Sequence, residues 1–383
     1  MKNSVTPSLV SLLFASLSLS WLPAAADVPV PAAPKLPARS YILVDHLSGR
    51  EIATHNSDER LEPASITKLM TAYAVFHALK SGKLRLDEGV TISQRAWKAE
   101  GSRTFVQVGT QVPVDVLIQG MIVQSGNDAT IALAERVGGS EETFAELMNG
   151  YGRQLGMTNS HFTNSTGLPS PEHYTTARDI AKLAQAIVRE FPQYYRWYSQ
   201  RDFTWNKIRQ SNRNGLLLRD PSVDGMKTGH TETAGYCLVT SAKRDGMRLI
   251  SVVMGTKNES ERENASQALL NYGFSFFETR RAYRAGQPLG NAKVWKAEES
   301  PVPIALRNDL WLTVPRGQSG NLKAAVSVTP NLMAPIGSAT SIGELQMMLG
   351  NDVVAKRPLH PLKDVAEGGL WTRMVDSVWL WFE

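Results

Sequence analysis

The period of the hydrophobic pattern changes near residue 279, and that change divides the chain. In the first part, Tyr41–Asp45 and Glu51–Thr54 flank a Leu-Ser-Gly turn and predict a hairpin. Ile66, Leu69, Met70 and Tyr73 follow i, i+3, i+4, i+7 spacing. They predict a helix from Ser65, closed by Lys80-Ser81-Gly82. Further helices are expected over Val112–Val123, Asn127–Val137, Glu141–Leu155 and Thr176–Glu190. Cys237–Ala242 and Arg248–Met254 read as strands joined at Arg244-Asp245-Gly246, and Asn264–Glu278 returns to helix. A hairpin, then helices, then strands and a last helix lack the alternating order of a parallel sheet. The expected class is therefore α+β, an antiparallel sheet flanked by helices. Beyond residue 279, Val302–Leu306, Leu310–Val314, Ala324–Val328 and Gly343–Met348 alternate in short runs punctuated by Gly and Pro, which predicts a small all-β domain.

The two ends are of another kind. Lys2, an apolar and serine-rich stretch from Leu9 to Leu22, and Ala24-Ala25-Ala26 before Asp27 read as an export signal. The apolar stretch is short for a membrane span, which needs about 20 residues. At the other end Trp371, Met374, Val375, Val378, Trp379 and Phe382 form one apolar stripe of a helix. It suits a helix lying in a membrane interface; a terminal helix docked on its own domain is the alternative. Its polar face mixes Arg373 with Asp376 and Glu383, so it carries no cationic patch. The expected organisation is a signal peptide over 1–26, a catalytic domain over 27–278, a β-rich domain over 279–366 and an anchoring helix over 367–383.

Composition excludes several classes. With 42% hydrophobic and 20% charged residues, the chain is neither disordered nor fibrous. Its one cysteine, Cys237, rules out an internal disulfide and has the apolar neighbours of a buried residue. The net charge of +5 includes no long run of like charge, which indicates a mixed solvated surface and no nucleic-acid partner. The histidines include no HExxH, and there is no cysteine-rich ligand set, so neither metal nor cofactor is expected.

Three short elements carry chemistry. Ser65-Ile66-Thr67-Lys68 puts a hydroxyl and an amine one turn apart at a helix N-terminus, where free N–H groups favour developing negative charge. Serine is a weak nucleophile until a base takes its proton, and Lys68 can do so only when neutral. Burial and a second cation would lower its pKa toward that state. The second element is Ser125-Gly126-Asn127 and the third Lys227-Thr228-Gly229, followed by His230. Each triplet is weak alone, since Ser319-Gly320-Asn321 and Lys80-Ser81-Gly82 imitate them. Order and context carry the specificity, and the imitations read as a turn and a helix cap.

This ordered set resembles the penicillin-binding protein family. It is most similar to the low-molecular-mass D-alanyl-D-alanine carboxypeptidases of the penicillin-binding protein 5 and 6 type. The supporting runs are Pro63–Thr71, Ser125–Ala129, Val223–Thr231 and Tyr272-Gly273-Phe274. The resemblance implies a β-lactamase/transpeptidase-like fold and a periplasmic enzyme attached to the inner membrane. Its substrates would be peptidoglycan stem peptides, with β-lactams as covalent inhibitors. Ser65 would attack the penultimate D-Ala carbonyl and Lys68 would take its proton. Ser125 and Lys227 would relay a proton to the leaving amine, and Asn127 would hold the substrate amide. The N–H groups of Ser65 and His230, the latter beside Gly229, would form the oxyanion hole. Thr228 and Arg262 would bind the terminal carboxylate, with Arg213 nearby. Glu146-Leu147-Met148-Asn149 superficially resembles the acidic loop of class A β-lactamases but continues a helical run. A D,D-endopeptidase or serine β-lactamase on the same fold, and a non-catalytic wall-binding protein, are the competing readings.

Overall fold

The computed structural model describes residues 29–380. The expected export signal over 1–26, and Phe382 and Glu383 of the tail, lie outside the described residues. The catalytic part is built on β1 (Ser40–Asp45) and β2 (Glu51–His55), then four helices that frame the site. These are α1 (Lys68–Lys80), α2 (Asn127–Gly138), α3 (Glu141–Gln154) and α4 (Ala177–Glu190). The chain then forms β3 (Val223–Thr231), β4 (Gly235–Arg244), β5 (Met247–Thr256) and α5 (Glu259–Phe276). The five strands make one antiparallel sheet in the order β2-β1-β5-β4-β3, with helices on both faces. This is the expected α+β class.

Both faces of the central strands are buried. On β4, Cys237 and Val239 point into the helical core while Leu238 and Ala242 point to the α5 side. On β5, Ile250, Val252 and Met254 face the first core, and Leu249 and Val253 the second. Such strands read as continuous apolar runs. Cys237 is fully buried, as expected of its neighbours. The Pro- and Ala-rich lead-in, through Val30, Ala33 and Leu36, covers the α5 face.

Three boundaries differ from expectation. Ser65 lies in a 3-10 turn, Ala64–Thr67, and the α-helix begins only at Lys68. That helix is buried on every side rather than along one stripe, the signature of a central core helix. Gln111–Pro113 is a strand paired with Gly89–Thr91, so the helix expected over Val112–Val123 begins at Val114. It widens into a π-helical turn at Gly120–Gln124. Finally, α5 starts earlier than Asn264, because Asn258 caps it by accepting from the Glu261 N–H at 2.8 Å. It ends at Phe276, where β6 (Phe277–Tyr283) takes over.

β6 pairs with a strand at Leu310–Pro315, beside a five-stranded sheet built on a separate apolar core. Within this body Ser319-Gly320-Asn321 forms a 3-10 turn. Lys80-Ser81-Gly82 ends α1, with Gly82 at φ +73°. The two parts meet through polar contacts. Asp45 accepts from the Thr279 hydroxyl at 2.7 Å, Ser48 and Thr313 share a 2.6 Å hydrogen bond, and Arg50 donates to the Thr313 carbonyl. The last described helix, α6 (Leu370–Trp379), closes the chain.

Candidate active site

The Ser65 turn is held between two close approaches. Gly229 of β3 lies against it, and a Cβ there would sit 3.0 Å from the Pro63 carbonyl and 3.2 Å from the Ile66 nitrogen. On the other side is Gly167, at φ +85°, where a Cβ would collide with the Ala64 carbonyl. Ala64 itself has a positive φ of 47°, a strained conformation for a residue with a Cβ. The turn presents Ser65, half-buried, to a cavity of about 360 Å³.

Lys68 lies beneath it, 1% exposed, with Nζ 2.8 Å from Ser65 Oγ. Nζ also donates to the Thr166 carbonyl at 2.7 Å. Burial, then the nearby Arg213 guanidinium, lower the amine's pKa to about 7, and Glu141 and Asp128 partly oppose this. A neutral Lys68 can give one N–H to Thr166 and turn its lone pair to the serine hydroxyl. The loop that supplies this carbonyl is pinned at several points. Asn164 Oδ1 accepts from the Thr166 and Gly167 N–H groups, and the buried Glu141 carboxylate accepts from Ser165 N–H and Oγ at 3.0 and 2.6 Å. The other oxygen of Glu141 takes Arg95 at 2.7 Å. His173, lowered to about 4 mainly by burial, is neutral at physiological pH. Its Nδ1 accepts from the Thr163 N–H, so Nε2 carries the hydrogen and donates to Thr67 Oγ1 at 2.8 Å.

The second element sits opposite. The π-helical turn ends on Ser125 in the left-handed conformation, at φ 66° and ψ 30°. That geometry turns the hydroxyl toward Lys227, whose Nζ donates to Ser125 Oγ at 2.9 Å. Lys227 is buried on β3, and burial together with Lys68, Arg213 and Arg262 holds its amine well below the ordinary lysine range. Gly126 touches the loop before it, since a Cβ there would lie 2.8 Å from the Thr104 nitrogen. Asn127 donates from Nδ2 to the Glu100 carbonyl at 2.6 Å. Its Oδ1 is buried without a partner, an acceptor held for a ligand N–H. The neighbouring Asp128 anchors the loop by accepting from the N–H groups of Thr104, Phe105 and Val106.

The third element closes the cleft with positive charge. Thr228 and Gly229 are buried on β3, and His230 is exposed beside them, tilted over the Tyr236 ring at 4.0 Å. Arg262 rises from the first turn of α5, 2% exposed, with its guanidinium 5.5 Å from the same ring. Arg213, exposed in the segment before Leu216, lines the cavity as well. The structure thus gathers all ten sequence-predicted residues. Eight line one cavity, and Lys68 and Lys227 sit beneath it, bonded to Ser65 and Ser125.

Sequence reasoning missed the residues that position them. Asp128 lies in the run Ser125–Ala129 with no signal of its role, and Glu141 reads only as the start of a helix. Asn164-Ser165-Thr166-Gly167 has the composition of a turn but no spacing that announces a lysine-binding carbonyl. Tyr236 and Glu259, which also line the cavity, carry no motif. Glu146 lies within α3, as its helical run implied. Among the described residues no cluster of His, Cys, Asp or Glu could hold a metal.

Residues 27–258 match the family described as D-alanyl-D-alanine carboxypeptidase, and residues 277–367 match the C-terminal domain of penicillin-binding protein 5. The chain is 44% identical over 358 residues to the D-alanyl-D-alanine carboxypeptidase DacC of Escherichia coli K12, covering 91% of this chain and 90% of that one. Penicillin binding protein 5 from Haemophilus influenzae has a structure similar at a TM-score of 0.86 and 42% identity, covering 88% of this chain and 100% of that one. A more distant likeness is to penicillin-binding protein D2 of Listeria monocytogenes in its ampicillin-bound form. Its TM-score is 0.56 at 27% identity, covering 64% of this chain and 100% of that one.

Proposed function

The chain belongs to the D-alanyl-D-alanine carboxypeptidase family, and we propose that Ser65 is the group through which it removes the terminal D-alanine of peptidoglycan stem peptides. The observation that carries this is the pair of serine–lysine contacts facing one cavity, Ser65 with Lys68 at 2.8 Å and Ser125 with Lys227 at 2.9 Å. Neutral Lys68 takes the Ser65 proton as Oγ bonds to the penultimate D-Ala carbonyl carbon. The carbonyl oxygen becomes an oxyanion received by the N–H groups of Ser65 and His230, a type of contact worth about 3–4 kcal/mol per donor. Asn127 accepts from the substrate amide, and Thr228 and Arg262 bind the terminal carboxylate. Arg213 adds positive charge, and Gly229 lets β3 lie against the turn. As the C–N bond breaks, the proton that Lys68 took from Ser65 is relayed through Lys227 and Ser125 to the leaving D-Ala amine, which leaves Lys68 neutral again. Water then attacks the ester as neutral Lys68 takes one of its protons and returns it to the departing Ser65 Oγ. The acid so formed gives up its proton, matched by the one the released D-Ala amine takes up, and the shortened peptide leaves as a carboxylate.

A β-lactam enters the same course. Ser65 opens its ring, the ring nitrogen takes the proton, and no fragment leaves. The β-lactamase alternative calls for a water-activating acid near Ser65. Among the described residues, the one carboxylate lining the cavity is Glu259, already hydrogen-bonded to Arg262 at 2.9 Å. This favours a long-lived penicilloyl ester alongside turnover of D-Ala-D-Ala peptides, and so a carboxypeptidase role in cell-wall maturation.

The placement at the periplasmic face of the inner membrane belongs to the same reading. An export signal over 1–26 delivers the catalytic domain (27–278) and the β-rich domain (279–366), and the helix over 367–383 attaches them to the membrane surface. Supporting this, α6 leaves Trp371, Met374, Val375, Val378 and Trp379 exposed, while Asp376 on its other side accepts from the Lys296 N–H. No helix among the described residues is long and apolar enough to cross a membrane.

Mass spectrometry after penicillin treatment, with peptide mapping, tests the assignment together with D-Ala release from a pentapeptide. The adduct is expected on Ser65, with D-Ala released over many turnovers. Release of D-Ala by a Ser65→Ala protein would sink it.

A further inference from the structure

Arg262 is an unusual cation. Its side chain is 3% exposed, yet its one side-chain hydrogen bond among the described residues is to Glu259, at 2.9 Å. A guanidinium has five N–H donors in a fixed fork. Here Nε is buried without a partner at the wall of the cavity. Burial lowers the arginine's pKa without discharging it, so the site holds a fixed, half-satisfied positive charge. The Tyr236 ring holds one side of the fork in place.

Glu259 has the opposite character. It is the first residue of α5, and its side chain is 68% exposed in its pair with Arg262. Water reaches the Glu259 end of the pair, so that carboxylate can leave into solvent, and an incoming carboxylate that takes its place keeps the buried Arg262 paired. The other acid facing this region, Glu263, is engaged elsewhere, with Arg219 at 3.0 Å. Glu259 is therefore the carboxylate in the cavity that can come and go while Arg262 stays.

We infer that Glu259 is a displaceable internal carboxylate: it holds Arg262 in the empty cleft, yields it to the C-terminal carboxylate of the substrate, and retakes it when free D-alanine leaves. This rests on the reading of Arg262 as the carboxylate-binding group. Glu259 then sets a specificity balance. By competing for the fork it weakens binding of every ligand with a free carboxylate, the released D-alanine included. A ligand ending in a neutral amide offers the fork one uncharged acceptor in place of a bidentate carboxylate, so it gains far less from the fork and feels far less of the competition.

The test measures KM and kcat for a D-Ala-D-Ala peptide, for the same peptide ending in a carboxamide, and inhibition by free D-alanine. For Glu259→Gln, KM for the free acid and the inhibition constant of D-alanine are each expected to fall about threefold to fivefold, as for loss of a weak ion pair. The KM of the carboxamide is expected to change by less than about twofold. Asn258 still caps α5 in that variant, and unchanged thermal melting would verify this. A KM for the free acid that stays the same or rises would overturn the inference, since a residue that merely braces Arg262 gives that result. Arg262→Ala separates the two layers. If it leaves the preference for acid over carboxamide intact, the reading of Arg262 fails. If it abolishes the preference while Glu259→Gln changes nothing, the inference on Glu259 alone falls.

Discussion

Lys68 has a cost and a use that both follow from where its amine sits. Burial opposes the charged form, Arg213 adds to that, and the pKa falls to about 7. Penicillin acylation of Ser65 should therefore rise with pH through about 7 and level off above it, as the fraction of neutral Lys68 approaches one. Lys68→Met should lose at least ~10²-fold in acylation rate, the ordinary contribution of a positioned general base. The rate constant of penicillin adduct formation, followed across pH by stopped-flow or mass spectrometry, checks both; a pH-independent rate would contradict the assignment. The same depression fixes the sign of a stability effect. Between about 7 and the ordinary lysine value of 10.5, the unfolded chain holds a proton that the folded lysine has released. Unfolding then takes up protons, so stability rises with pH across this window. Lys227, held low by the same burial, adds to the rise. Thermal melts of Lys68→Met should show a shallower rise than those of the unaltered protein.

At the scale of elements, the site depends on how its carriers end. The π-helical turn widens the helix just before Ser125 and delivers that residue in a left-handed conformation. Gly126 then lets the loop carrying Glu100 and Ser102 close over it, and those two carbonyls fix Asn127 at Nδ2 and at the backbone N–H. Gly126→Ala puts a methyl group against Thr104 and should push that loop away. The expected result is a loss of about 10²-fold in acylation, the cost of a displacement near 1 Å at a reacting centre, with Lys68 and its pH dependence unchanged. Comparing acylation rates over pH with a thermal melt distinguishes this from global unfolding. This is also where the sequence stops being legible. The order hairpin–helices–strands–helix points to the antiparallel sheet, because it lacks the alternation of strand and helix that a parallel sheet requires. The three motifs with His230 supply eight of the ten residues that meet in the cleft, and the family resemblance adds Arg213 and Arg262. The π-helical turn, the hairpin hidden in Gln111–Pro113 and the loop at Asn164–Gly167 were not readable. The last two are set by partners distant in sequence: Val90 pairs with Val112, and Glu141 holds Ser165. Periodicity sees neighbours on one helix or strand, and a buried carboxylate on another element leaves no trace in it.

At the scale of the molecule, two linkages couple the cleft to the far end of the chain. Asp45 and Ser48 of the catalytic part bind the hydroxyls of Thr279 and Thr313, so the β-rich part is fixed by directional bonds rather than by a wide apolar interface. At the opposite end, Lys296 binds Asp376 of α6, which sets the helix with its polar side inward and its tryptophans outward. A helix held this way cannot bury Trp371 and Trp379 on its own domain without breaking that contact. Fully burying each such large apolar side chain would stabilise the protein by roughly 1.5–3 kcal/mol, and on the proposed reading a bilayer interface is the partner. Deleting residues 368–383 should leave D-Ala release from a soluble peptide unchanged and abolish sedimentation with phospholipid vesicles. Trp371→Ser with Trp379→Ser should weaken vesicle binding by at least ~10²-fold, since each loses about 1.5 kcal/mol or more of apolar contact. Salt should do little to the binding of the unaltered protein, because the polar face of α6 mixes Arg373, already paired with Glu367, with Asp376 and offers anionic headgroups no cationic patch. Vesicle sedimentation over a range of salt decides this: binding that vanishes at high salt would show attachment by charge, and binding that persists only with both tryptophans present would show attachment by the apolar face.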